Sequence, residues 1–452
     1  MVSFILPGNS ASTGYDVDNS IRFDEASTTF LSKASFGSPT STKKSTVSFW
    51  CKRSLVEEGI IFMNDSNTFP IAKIYFDSSH RFSYIEFDPS VYLARTTNAV
   101  FRDLSAWSHF VVSVDMTESS ADDRVKVYHN GTQITSFSTS TTPSQNSDVI
   151  INDNLRTGIG GTGSSGGDGF EGYVAELVRI DGQALDPTSF GEFDEDSNIW
   201  KPINVSGLTF GNNGFYLDFE NSAELGTDVS GNSNTFTENN LTAEHQSTDT
   251  CTNNFATINP LYLSASSYTL TNGNLAVDGN ASNAWRSLYS TFAVSSGKWY
   301  WEIKIDAYNS GDVNNFAIGI VSEDQVDQTS SNGKFFGTAQ GYAYHGKDGK
   351  KLNNDTVTAN GASYGDSFTV GDVVGVFLDL DNHKLYFSKN GTVQASGDPT
   401  SGSTGTNAAF SITSGHSYLP VIANYYSAEH YSFNYGSPPF SISSGNSDGN
   451  GY

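Results

Sequence analysis

Two carboxylate pairs are the first places in these 452 residues where chemistry could occur. Asp218-Phe219-Glu220 and Glu302-Ile303-Lys304-Ile305-Asp306 put acids at alternating positions, and alternating residues of a strand share a face. Glycoside hydrolysis needs two carboxyl groups roughly 5–9.5 Å apart across the scissile bond. The sequence that supplies them on a concave sheet is Glu-x-Asp followed by a further Glu. Neither pair continues that way, and Lys304 interrupts the second. Both read as solvent-facing strand charges, so no catalytic residue is expected.

The other chemistries fare no better. The eight histidines stand near no recognisable Ser or Cys nucleophile, and Gly-x-Ser-x-Gly at a strand-to-helix turn is absent. The glycine-rich run Gly158-Ile159-Gly160-Gly161-Thr162-Gly163-Ser164-Ser165-Gly166-Gly167 neither precedes a helix nor ends in Lys-Ser/Thr. It is expected to be a long surface loop and not a phosphate cradle. Asp122-Asp123 and Asp379/Asp381 leave calcium open, but that ion takes six to eight oxygens and turns favour Asp for its own hydrogen bonds. No cofactor is expected.

The elements that would position any site are strands. In Thr46-Val47-Ser48-Phe49-Trp50-Cys51-Lys52, Val47, Phe49 and Cys51 take one face while Ser48, Trp50 and Lys52 take the other. In Lys298-Trp299-Tyr300-Trp301-Glu302-Ile303-Lys304-Ile305, Trp299, Trp301, Ile303 and Ile305 alternate with Tyr300, Glu302 and Lys304. Gly371 to Gly391 reads as a hairpin that closes on Asn390-Gly391, a type I′ signal. Trp107 to Gly131 repeats the pattern and closes on Asn130-Gly131. Trp299, Trp301, Phe377 and Phe387 are expected in core or sheet packing.

Composition agrees with many short strands. Aromatic residues make up 13%, glycine numbers 43, and no long stretch has helical periodicity. The 49 acidic against 24 basic residues give a formal charge of −25. That charge disfavours nucleic acid as a partner. The two cysteines cannot build a disulfide framework. Met1 to Gly8 lacks the basic and apolar regions of a signal peptide, and no run is suited to cross a membrane. Export is therefore expected by another route, such as particle assembly and lysis.

Thr46–Arg53 (TVSFWCKR), Trp107–Asp115 (WSHFVVSVD), Val125–Gly131 (VKVYHNG) and Gly172–Leu185 (GYVAELVRIDGQAL) occur in that order. Together they resemble a laminin-G-like domain of the concanavalin-A type over residues 18–190. Gly214 to Phe219, Leu225 to Asp228 and Asn253 to Leu261 resemble connectors in lectin-like structural proteins of tailed bacteriophages. GKWYWEIKI (Gly297–Ile305), FAIGIV (Phe316–Val321), VGVFLDLDNHKLYFSKNG (Val374–Gly391) and YLPVIANY (Tyr418–Tyr425) resemble a SPRY, or B30.2-like, domain over 264–436.

These resemblances imply an all-β chain of two concanavalin-A-like jelly-roll β-sandwiches joined by a turn-rich connector. The parts are an N-terminal arm (1–17), a laminin-G-like sandwich (18–190), a connector packed on the sandwiches (191–263), a SPRY-like sandwich (264–436) and a flexible tail (437–452). In SPRY domains partners usually meet loops at one end. Carried onto this chain, that points to Trp285, Arg286, Phe335, Phe336, Tyr342, Tyr344, His345, Tyr425 and Tyr426. The functional expectation is a non-enzymatic virion protein of a tailed phage, as a tail-fibre-type or capsid-decoration appendage for host attachment. Its partners would be other virion proteins and a host cell-surface glycan or protein, without membrane insertion. Display as a homo-oligomer would raise avidity. Alternatives are a purely structural virion protein, whose modules bind other subunits, and a glycan hydrolase.

Overall fold

The computed structural model describes residues 14–24, 28–66, 69–262, 268–279, 285–307, 315–326, 333–354, 361–425 and 429–440. Residues 1–13 of the N-terminal arm, Tyr426 and the tail from 441 lie outside the described residues. The chain is all-β and divides into two compact units, with the boundary between Asn254 and Phe255. Of the expected connector 191–263, residues 191–254 belong to the first unit and 255–262 to the second.

The first unit is a sandwich of two antiparallel sheets. One runs Thr132–Ile134, Val125–His129, Ser108–Asp115, Lys44–Arg53, Gly172–Asp181, Ser20–Phe23, Gln246–Ser247, and Phe215–Leu217 also pairs with Gly172–Asp181. The other runs Phe137–Thr141, Val91–Val100, Arg81–Phe87, Ile71–Phe76, Gly59–Asp65, Arg156–Ile159, Phe30–Lys33, Thr237–Asn239. Val47, Phe49 and Cys51 point into the core between them, beside Phe82, Tyr84, Phe110 and Val112. This is the alternation expected of a strand with one face on a core. The first hairpin turns at Asn130 and Gly131 with φ of 45° and 76°, which leaves His129 opposite Thr132.

The glycine-rich run is a loop only beyond Ile159. Arg156–Ile159 is a strand paired on both sides, to Gly59–Asp65 and to Phe30–Lys33. Beyond it, Gly160 has φ of 79°, and a Cβ there would lie 2.5 Å from the Phe23 ring. Glycine is used here for close approach between backbone and aromatic rings.

The outer face of the first sheet is also covered. Trp50, Trp107, Tyr173 and Trp200 form a buried cluster with Val17. Lys52, on the same face, is buried, with Nζ 2.7 Å from Asp249 and 2.8 Å from Asn254 Oδ1. Trp107 Nε1 donates to the other Asp249 oxygen at 2.9 Å. A buried charge is tolerated only when paired and hydrogen-bonded. Residues 246–254 supply that pairing and are integral to the sandwich.

The second unit repeats the architecture. Its first sheet runs Tyr268–Thr271, Ala276–Gly279, His430–Asn434, Lys298–Ala307, Val373–Asp379, Lys384–Lys389, Thr392–Val393, with Phe410–Ser411 also paired to Lys384–Lys389. Its second runs Arg286–Tyr289, Tyr418–Asn424, Phe316–Ser322, Gly341–His345, Lys350–Asn353, Ala362–Ser363. Trp301, Ile303, Ile305, Val374, Val376, Leu378 and Phe387 fill the space between them. Asn390 and Gly391, with φ of 49° and 78°, make the two-residue turn read from the sequence.

Candidate functional site

The expected loop site is packed instead of presented. Trp285 is buried, with ring centroids 5.0 Å from Phe336, 5.8 Å from Tyr425 and 6.4 Å from His345. Arg286 stands beside it, half-buried, donating Nη1–H to the Trp285 carbonyl at 3.0 Å. Phe335 and Phe336 form a turn sealed onto the outer face of the second sheet. His345 is buried between Asp348 (2.7 Å) and Asn315 (3.1 Å). Burial lowers its pKa more than the Asp348 carboxylate raises it.

Tyr342 and Tyr344 belong elsewhere. Alternation along Gly341–His345 sends them into the inter-sheet core, opposite to Ala343 and His345. The structure thus brings together Trp285, Arg286, Phe336, His345 and Tyr425, adds Phe335 beneath them, and separates Tyr342 and Tyr344. Of these residues only Arg286 and Tyr425 retain partial exposure, so a ring-stacking role for the others is corrected to packing.

An exposed aromatic surface lies on the outer face of the other sheet. Tyr300, Phe377 and Tyr386 stand directly opposite one another on three neighbouring strands. Tyr300 is 46% exposed and Phe377 half-buried, with ring centroids 4.6 Å apart. Trp299, which shares the core-side parity of Trp301, is 39% exposed at the strand's end, its indole N–H donating to the Ser296 carbonyl at 2.7 Å. With Lys298, Asp379 and Pro399 they line an open groove of about 180 Å³. Trp301 and Phe387 lie in the core and Phe377 packs on Tyr300 across the sheet, as expected, whereas Trp299 is partly exposed.

The local sequence explains why the groove holds its shape. Gly375 sits between Glu302 and Ser388, and a Cβ there would come 2.7 Å from the Tyr300 hydroxyl. Its missing side chain lets the Tyr300 ring lie along the sheet. The Tyr300 hydroxyl donates to Glu302 at 2.7 Å, and Glu302 accepts from Asn434 Nδ2 at 2.8 Å. Burial first, then the Glu302 carboxylate, raises the Tyr300 pKa, so the phenol stays protonated. At one rim Lys298 Nζ is 3.3 Å from Asp379. Burial pushes the Asp379 pKa up, but hydrogen bonds from Asn382 and the Lys298 ammonium outweigh it and hold the carboxyl ionised. Tyr386 continues the floor under the loop that carries Pro399, its hydroxyl 3.3 Å from Ser401 Oγ. The arrangement offers flat apolar rings with fixed polar groups at the edge, the character of a ligand groove.

Four of the acids considered for catalysis and metal binding are engaged elsewhere. Glu302 holds Tyr300, and Asp306 pairs with Lys304 at 2.8 Å. Asp123 pairs with Lys126 at 3.3 Å, and Asp381 accepts from the Gly297 N–H at 2.8 Å. Among the described residues no group of three or more His, Cys, Asp or Glu side chains is placed to hold a metal ion.

The groove left one signal in the sequence. Tyr300 is an aromatic at an outward position of an otherwise polar strand face, and Gly375 is the small residue beside it.

Two sandwiches with short turns define an all-β protein of lectin-like and SPRY-like build, and family comparison agrees. Residues 23–189 match the concanavalin A-like lectin/glucanases superfamily. Residues 298–438 match the SPRY domain, and the chain carries one domain of each kind. A Ran-binding proteins 9/10 homolog from Drosophila melanogaster is 33% identical over 97 residues, which are 22% of this chain and 9% of that protein. The chain thus spans under a tenth of that relative. Among solved structures, the SPRY domain of human HERC1 is 18% identical (TM-score 0.30), covering 40% of this chain and 98% of its own. A heptameric SAP-like pentraxin from Limulus polyphemus is 18% identical (TM-score 0.27), covering 38% and 80%.

Proposed function

We propose that this chain is a non-enzymatic binding protein whose SPRY domain recognises a neutral glycan through the Tyr300–Phe377 groove. The observation that carries the reading is a pair of solvent-facing rings on a sheet face, held by Gly375 and Glu302 and rimmed by a neutralised Lys298–Asp379 pair. A pyranose has a C–H face that packs on such rings and hydroxyls that meet the edge. A net charge of −25 favours neutral over acidic sugars. The resemblance of the connector to lectin-like structural proteins of tailed phages supports a place on a virion, as an adhesion appendage or capsid decoration. Other virion proteins would then be its second set of partners. Many copies would convert weak single-site binding into attachment.

The test is a titration of the full chain against neutral oligosaccharides of a host envelope, comparing wild type with Tyr300→Ala and Phe377→Ala. Binding that falls at least tenfold in both variants supports the reading. Failure of the wild type to bind, or undiminished binding by the variants, overturns the glycan assignment. Immunogold labelling of purified particles tests the virion assignment separately.

A further inference from the structure

The first unit carries a carboxyl group that its packing does not require. Glu176 lies in the middle of Gly172–Asp181, where the pairing to Lys44–Arg53 slips by a bulge between Ala175 and Val178. Its φ is 50°, a left-handed value unusual for a residue with a side chain. Bulges of this kind re-aim a side chain. Here the carboxyl group is buried on the outer face, under residues 14–19 and beside Phe215–Leu217.

Its hydrogen-bond partners are phenols. Tyr216 donates to the two oxygens at 2.9 and 2.8 Å, and Tyr15 reaches one of them at 3.3 Å. The two hydroxyls are 3.1 Å apart. The charged groups that act on it from Phe215–Leu217 and the chain beyond are Asp218 and Glu220, both acids. From 246–254 the Cys251 thiol faces it. The ammonium of Lys52, on the adjacent strand, is taken by Asp249. Segment 14–19 is also held at Val17, which packs among Trp50, Trp107 and Trp200; its N–H donates to Thr252 Oγ1 at 3.0 Å and its carbonyl accepts from the same hydroxyl at 3.2 Å.

We propose that Glu176, Tyr15 and Tyr216 form a proton-linked latch that fastens segment 14–19 onto the first sandwich when Glu176 is protonated and loosens it when Glu176 ionises. The geometry sets the direction. Ionisation puts a charge into a site screened from water, next to two further carboxylates. Opening the segment lets water reach that charge. Burial, reinforced by Asp218 and Glu220, outweighs the Tyr216 and Tyr15 hydrogen bonds, which favour the ionised form, and pushes the Glu176 carboxyl up to about 7. With the segment open, the group returns toward the ordinary carboxylate range of about 4.3. The closed state therefore holds more protons between those values, and closure weakens as pH rises through them.

The test is amide hydrogen exchange on the full chain from pH 5 to pH 8, corrected for intrinsic rates. The Val17 amide is followed against amides of Lys298–Ala307 in the second unit. Opening at Val17 is expected to grow by about tenfold or more over this range, while the reference strand does not change. Glu176→Gln, which is neutral at every pH, is expected to remove the slope. Tyr15→Phe is expected to loosen the segment and keep the slope. A flat wild-type profile, or a slope that survives in Glu176→Gln, overturns the proposal. If Glu176→Gln does not fold, carbon NMR of glutamate carboxyls in the wild type decides. One carboxyl titrating near neutrality and perturbed by Tyr15→Phe supports the latch, and uniform titration near the ordinary range overturns it.

Discussion

The two sandwiches treat the same kind of residue in opposite ways. In the first, Trp50 and Tyr173 on an outer sheet face are buried by residues the chain itself supplies, Val17, Trp107 and Trp200 among them. In the second, Tyr300 on the outer face of the Lys298–Ala307 strand remains 46% exposed. An outward aromatic is core when the chain provides a cover and a binding surface when it does not. The first unit also places a charge under its cover, with Lys52 tied to Asp249 across 197 residues of sequence. The second keeps its comparable ion pair, Lys298–Asp379, at a wet rim, with the lysine side chain 55% exposed.

Removing the cover's counter-charge should break this contrast most strongly. Asp249→Ala leaves Lys52 buried and unpaired, so the first unit should lose about 3–5 kcal/mol in urea unfolding, with the second unit's transition unmoved. Lys52→Met combined with Asp249→Leu should recover much of that loss. In the second unit, Trp301→Ala should cost about 3–5 kcal/mol, as a large core ring does. Trp299→Ala, two residues away, should change stability by less than about 1 kcal/mol. Equal losses from the two tryptophan variants would erase the distinction between core and surface.

The next effect in size is a pH dependence confined to the first unit. A carboxyl whose folded pKa is raised to about 7 from 4.5 binds more protons folded than unfolded, so stability falls as pH rises between those values. The difference between wild type and Glu176→Gln should grow by about 3 kcal/mol from pH 4.5 to pH 7, read from paired unfolding curves. The smallest stability effect belongs to the groove. Gly375→Ala should cost about 1 kcal/mol or less, because the nearest atoms are the Ser388 and Tyr300 hydroxyls, which can shift. It should nonetheless weaken glycan binding by lifting the Tyr300 ring, a change that calorimetry with the best neutral ligand would detect.

Much of the scaffold was legible in the sequence because it depends on local rules. Asn130-Gly131 and Asn390-Gly391 announced their turns because few residues accept positive φ at two successive positions. Val47, Phe49 and Cys51, and likewise Trp301, Ile303 and Ile305, announced their inward faces by alternation. The glycine-rich run misled because glycine signals both loops and close packing. Here its first two residues, Gly158 and Ile159, end a strand paired on both sides, and Gly160 lies against Phe23 before the rest turns as a loop.

The candidate site was the less legible part. Trp299 and Trp301 have the same parity, and only the end of the sandwich decides that one is exposed. Trp285, Phe335 and Phe336 look like loop aromatics in sequence, but the turn at 335–337 folds them onto a sheet face. The amino-acid sequence alone determined the class of fold, the order of the two sandwiches, the hairpin turns and the inward faces of their strands. Each follows from backbone sterics and a two-residue period that neighbouring residues set. Tertiary structure decided which outer faces are covered, that Lys52 finds Asp249, that Glu176 is sealed beneath Tyr15, and that Tyr300 and Phe377 meet in the open. Those outcomes depend on contacts between strands and segments distant in sequence, which no local pattern encodes.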